Sequence, residues 1–261
     1  MNKTLCKLCL QPKELRDSHI ISEFDYKPLY DHKHRFYRLS SKSSKHGILQ
    51  KGLREKLLCG YCENLRSKCE IYASKLIHGG IELDYKNFVG GVEITGIDYN
   101  KFKLHQLFLL WIASISQLPE FSEIKLHENV EEKLRLKLLS NDPGQPHEYP
   151  CFVCALISKN RNTTRQIIIP PSLIKVEGIQ WARFIIGGLI WTYRISVSSD
   201  TGIPDDLFIN RNGVLNVYFV RPSDVNFSTE TLVHILEPSL IRYPTRSKSE
   251  LRKFIKRGLL G

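Results

Sequence analysis

Cys6 and Cys9 are separated by two residues, and so are Cys59 and Cys62. In "CKLC" and "CGYC" alike, a two-residue spacer lets both thiolates of one turn reach a single tetrahedral Zn²⁺ at about 2.3 Å. Two such turns complete a closed four-thiolate structural site. The 49 residues between Cys9 and Cys59 exceed the span of a compact zinc ribbon, so a folded segment must lie between the knuckles. Where apolar runs are short, the ion would supply much of the folding free energy. The plainer alternative is two unrelated cysteine pairs. It fits poorly with the polar, turn-like context of both.

A third pair, Cys151 and Cys154, sits in "CFVCALI", which reads as a buried strand. Positions three apart on a strand face opposite ways, so these thiols are expected to be small core residues, not a chelating pair. Cys69 falls on an apolar stripe and is expected in the core as well.

Between the two knuckles lies His19, in "LRDSHIISEF". A histidine beside isoleucines is commonly structural. Imidazole nevertheless titrates near neutral pH and suits general-base work. If 15–21 is a strand, Asp17 and His19 share a face. His32, His34 and His46 lie in a polar, basic loop and are expected at the surface or facing phosphate. His78 is expected to end a helix.

The elements that would position these groups follow from periodicity. "RFYRLS" (35–40) alternates as a strand does. From 61 to 77 apolar residues recur at spacings of three and four, until Gly79-Gly80 stops the run. The stretch 88–100 reads as a hairpin or linker. A strongly apolar helix is expected over 101–118, before Pro119, and an amphipathic one over 127–140. Strands are expected at 151–158, 164–169, 181–196 (one or two) and 213–220, and helices near 228–236 and 248–258. Gly187-Gly188 suits a bulge or a close backbone approach. The fold class is α+β. A metal-stabilised module over 1–80 precedes an α+β domain over 81–261 in which helices come before short strands.

Composition narrows the setting. No run of eighteen apolar residues occurs and the first ten residues hold no apolar leader core. A soluble, cytoplasmic protein with reduced thiols is expected, with no membrane partner. The net charge of +11 is uneven: residues 1–80 hold sixteen Lys/Arg and eight Asp/Glu, a net of +8. That excess fits a basic soluble surface or a polyanion partner.

The order knuckle, histidine strand, strand, second knuckle, helix resembles the HNH endonucleases of the His-Me finger (ββα-metal) superfamily in their zinc-bearing form. Their pattern runs C-x-x-C, D-H-I-x-P, L-C-x-x-C-[HN]. The residues that match are Cys6, Cys9, His19-Ile20-Ile21, Leu58, Cys59 and Cys62, within about 75 residues. The chain looks most like a divergent branch found among bacterial and phage-defence nucleases. The resemblance implies that His19 is the general base of phosphodiester hydrolysis. It also implies one hard divalent ion, Mg²⁺ or Mn²⁺, that stabilises phosphate charge. The family's Asp before the histidine is Ser18 here, with Asp17 one position back. Its His or Asn after the last knuckle cysteine is Glu63, followed by Asn64. Glu63 is therefore the first expected ligand and Asn64 the second, Asp17 either ligates the ion or orients the imidazole, and Glu70 lies two turns further along roughly the same helix face.

The leading expectation is a metal-dependent endonuclease acting on nucleic acid, DNA in the first instance, with a second domain that senses a trigger, targets or oligomerises. The alternatives are a zinc finger that binds DNA or RNA without cutting it, and a structural zinc module in a protein scaffold.

Overall fold

The computed structural model describes residues 4–38, 47–157, 167–176, 179–195 and 205–221. His46, His234 and the helices expected near 228–236 and 248–258 lie outside the described residues. The fold is mixed α+β. Strand β1 (Leu15–His19) leads into a one-turn helix, α1 (Glu23–Tyr26), and then into β2 (Arg35–Arg38), β3 (Gly47–Gln50) and β4 (Arg54–Cys59). β4 runs straight into helix α2 (Gly60–Ile77). β1 pairs antiparallel with β4, and β2 with β3, as two separate two-stranded sheets. α2 packs against both β1 and β4.

Next come the hairpin β5 (Asp84–Phe88)–β6 (Gly91–Thr95) and helices α3 (Tyr99–Ile115) and α4 (Glu128–Leu139). Strands β7 (Cys151–Leu156), β8 (Ile168–Val176), β9 (Ile179–Ile186), β10 (Leu189–Arg194) and β11 (Leu215–Val220) follow. With β5 and β6 they form one seven-stranded sheet, ordered β5-β6-β11-β7-β10-β9-β8. The β11–β7 pair is parallel; the other pairs are antiparallel.

Two expectations are refined. Of the strand expected at 164–169, residues 164–166 lie outside the described residues, and β8 begins at Ile168 and runs on through Pro170 and Pro171. β8 is an edge strand, where the missing proline N–H costs no ladder bond on the open side. Its register shifts between Ile169 and Ser172. Gly187-Gly188 is no bulge, and it does meet neighbouring backbone closely: Gly187 N–H donates to Ile167 O at 3.0 Å and Gly188 O accepts from the Leu156 N–H at 2.7 Å. It is the two-residue turn between β9 and β10, with φ of 59° and 85°. Positive φ at both turn positions gives the twist that a tight hairpin needs, and glycine adopts it without strain.

α3 is the centre of the molecule. Asp98 caps it by accepting from the Lys101 N–H at 3.1 Å. Apart from Asn100 and Lys101, every residue of the helix is buried. A helix apolar on all sides is stable only when surrounded, and α2, α4 and the large sheet surround this one. One continuous core runs from Cys6 and Leu8 through Ile20, Leu57 and Ala73 to Trp191 and Val217. The first 80 residues thus bury more than their short apolar runs imply, because they share this core. A second cluster, Cys154, Leu156, Ile185 and Ile190, lies apart from it. β7 contributes Cys151 and Val153 to the first cluster and Cys154 and Leu156 to the second, as strand alternation requires. Cys69 is 3% exposed and belongs to the main core. Among the described residues no helix is long and apolar enough to cross a membrane.

Candidate metal centre and active site

The first knuckle is a tight turn closed by Leu10 N–H to Cys6 O at 2.8 Å, with Leu10 at φ 56°. Lys7 N–H donates to Leu57 O at 2.9 Å, which ties the knuckle to β4. Cys59 N–H donates to Cys6 Sγ at 3.3 Å. The Sγ atoms of Cys6, Cys9, Cys59 and Cys62 all lie within 4.8 Å of one another, and Cys9 and Cys59 are 3.9 Å apart. A tetrahedral ion with bonds of about 2.3 Å has S···S edges of about 3.8 Å. The cluster therefore has the size to hold one ion, and its all-sulfur donor set suits a soft or borderline metal such as zinc. All four cysteines are free thiols. Burial opposes ionisation of Cys59, yet the Cys62 N–H and the neighbouring thiols bring it down to about 7. Burial pushes the Cys62 thiol up. Ion binding would displace the remaining protons.

The knuckles hold β1, β4 and the start of α2 together at one end. Cys59 pairs with Leu15, and the register then shifts between Leu15 and Asp17. From Asp17 the ladder is regular: Asp17 faces Lys56, Ser18 faces Glu55 and His19 faces Arg54. His19 thus sits at the far end of the hairpin from the thiols, with Arg54 beside it on the same face. Ser18 turns inward and accepts from the Leu58 N–H at 3.2 Å.

Around His19 the chain builds a charged cluster. His19 Nε2 lies 2.6 Å from Glu23 Oε2, though without hydrogen-bond alignment. Tyr30 donates to the same oxygen at 3.1 Å, and Arg54 approaches it at 3.8 Å. From α2, the buried Arg66 guanidinium donates to the carbonyls of His19 and Ile20. Glu70 Oε1 forms an ion pair with Arg66 at 2.8 Å and accepts from Ser22 Oγ at 2.6 Å. This network fixes the backbone from His19 to Ser22. Burial, helped by Arg54 and opposed by Glu23, lowers the His19 pKa, so the imidazole is neutral near pH 7. Nε2 is buried beside Glu23; a neutral imidazole can accept a proton at a ring nitrogen.

The expected site residues divide. Cys6, Cys9, Cys59 and Cys62 come together. Asp17 shares the face of His19 and is exposed. Glu63 stands in the first turn of α2, one turn before Arg66, with Oε1 buried and without a hydrogen-bond partner. Asn64 is exposed. Among the described residues the four thiols are the one convergent group of three or more such donors, and His19, Asp17 and Glu63 do not form another. Sequence reasoning missed Glu23, Arg54 and Arg66. The Arg66–Glu70 spacing of four was legible as a helix pair, but its burial against β1 was not. Glu23 reaches His19 only because a strand ends and a helical turn begins between them.

Of the remaining histidines, His78 caps α2 and His32 and His34 are exposed, as expected. No family model, curated protein or solved structure matches the chain.

Proposed function

We propose that the protein is a metal-dependent endonuclease in which His19 is the general base and nucleic acid, DNA in the first instance, is the substrate. The observation that carries this reading is the placement of His19. It lies at one end of a β1–β4–α2 unit whose other end is gathered by four thiols, which would hold a structural zinc. The His19 imidazole accepts a proton from water as the water oxygen attacks phosphorus. The P–O bond to the leaving oxygen breaks, and that oxygen is protonated from solvent. Arg54, at the rim beside His19, offers positive charge to the phosphate.

The buried, unpartnered Oε1 of Glu63 is a lone-pair donor suited to a hard cation. Mg²⁺ asks for only one or two protein carboxylates, since waters and substrate phosphates complete its shell. When bound, Mg²⁺ or Mn²⁺ would neutralise charge building on the phosphate.

The test is incubation of the purified, zinc-loaded protein with supercoiled plasmid, with and without added Mg²⁺ or Mn²⁺. Ion-dependent nicking is expected. His19→Ala should keep its zinc and its melting temperature and lose roughly 10²–10⁴-fold in rate. A folded His19→Ala protein that cuts like wild type would return the unit to a binding role.

A further inference from the structure

The β2–β3 hairpin takes no part in the thiol cluster or the His19 network. It stands as its own two-stranded sheet, with Phe36 opposite Leu49 and Tyr37 opposite Ile48. Alternate residues face opposite ways. Phe36 packs against the rings of Tyr26 and Tyr30, at 5.4 and 6.2 Å between centroids. Tyr37 and Ile48 point away from the body, 63% and 59% exposed. A cross-strand pair of large apolar side chains left in water on a marginal two-stranded ribbon calls for a partner.

Charge says what kind. Residues 32–54 contain seven Lys/Arg and three His, and no Asp or Glu. Lys33, His34 and Lys51 are exposed along the ribbon's base. The ribbon is also joined to the candidate active site. Tyr30, which supports Phe36, donates to Glu23 beside His19, and Arg54 lies just beyond β3. Gly52, in the link from β3 to β4, passes so close that a Cβ there would enter the Tyr26 ring.

We infer that the β2–β3 ribbon is the arm by which this finger grips duplex DNA, lying in the major groove with Tyr37 and Ile48 against base edges and Lys33 and Lys51 toward phosphates. The inference rests on the nucleic-acid reading of the same finger. The B-form major groove, about 12 Å wide, admits a two-stranded ribbon, whereas the groove of A-form RNA is too narrow. One exposed tyrosine offers no stacking track for a single strand.

The experiment measures binding of the full chain to a fluorescein-labelled duplex DNA by anisotropy across a salt series, with no Mg²⁺ or Mn²⁺ added. Tyr37→Ala/Ile48→Ala should weaken binding at least tenfold and leave the salt slope unchanged, because apolar contacts release no counterions. Lys33→Gln/Lys51→Gln should make the slope shallower by about 2, since each phosphate contact contributes about 0.9. Wild-type duplex affinity in the apolar variant would overturn the inference. So would a wild-type chain that binds single-stranded DNA or duplex RNA as tightly as duplex DNA. Cleavage plays no part in these measurements, so failure of the nuclease reading in the plasmid assay would be seen separately.

Discussion

His105 and His19 show how burial divides one residue type into different roles. His105 lies in mid-α3, 3% exposed, between the rings of Phe24 and Trp191, each at 5.9 Å. Burial pulls its pKa from 6.5 down to about 4, against the pull of Glu70. Between those values the unfolded chain binds a proton that the folded chain refuses. His105 therefore makes the fold less stable as pH falls from 6.5 to about 4, by up to about 3 kcal/mol, and adds nothing further below. Urea unfolding across that window should show the loss, and His105→Phe should flatten it. His19, by contrast, lies at the end of β1 with its side chain 18% exposed, although its Nε2 is buried against Glu23.

At the scale of elements, the contact that aligns β1 with α2 is polar. Arg66, with its side chain 3% exposed, binds two carbonyls just past β1 and is held in turn by Glu70 and Ser22. Arg66→Met would remove the ion pair to Glu70 and both donations to the carbonyls of His19 and Ile20, and it should cost about 3–5 kcal/mol. Arg66→Lys should recover part of this, because it keeps the charge and loses the fork that reaches both strand and helix. Ser22→Ala removes one hydrogen bond and should cost about 1–3 kcal/mol. Denaturant midpoints of the three variants check the order.

At the scale of the molecule, the thiol cluster and the large sheet are linked through one core. Leu8 and Leu57 beside the knuckles belong to the same cluster as Trp191 and Val217. Arg135 of α4 reaches back to donate to Leu8 O at 2.6 Å, so the first knuckle is also tied to the helical layer. Loss of an ion held by the four thiols should therefore destabilise the chain as a whole. Removing metal with a thiol-competing chelator, or introducing Cys59→Ser, should lower the melting temperature of a single cooperative transition. Two well-separated transitions, with the later one unmoved, would show that the sheet folds independently of the first 80 residues.

Local rules in the sequence determined the knuckle pairs, the span of α2, the burial of α3 and the opposed faces of Cys151 and Cys154. Each depends on spacing, alternation or apolar periodicity within a few residues. Only the tertiary structure decided that β1 pairs with β4, that Arg54 flanks His19, and that Glu23, Arg66 and Glu70 gather at the end of β1. It also decided the sheet order and the passage of β8 through two prolines. These depend on register between strands far apart in the chain and on where a helix lies against a hairpin, and no short window of sequence encodes either.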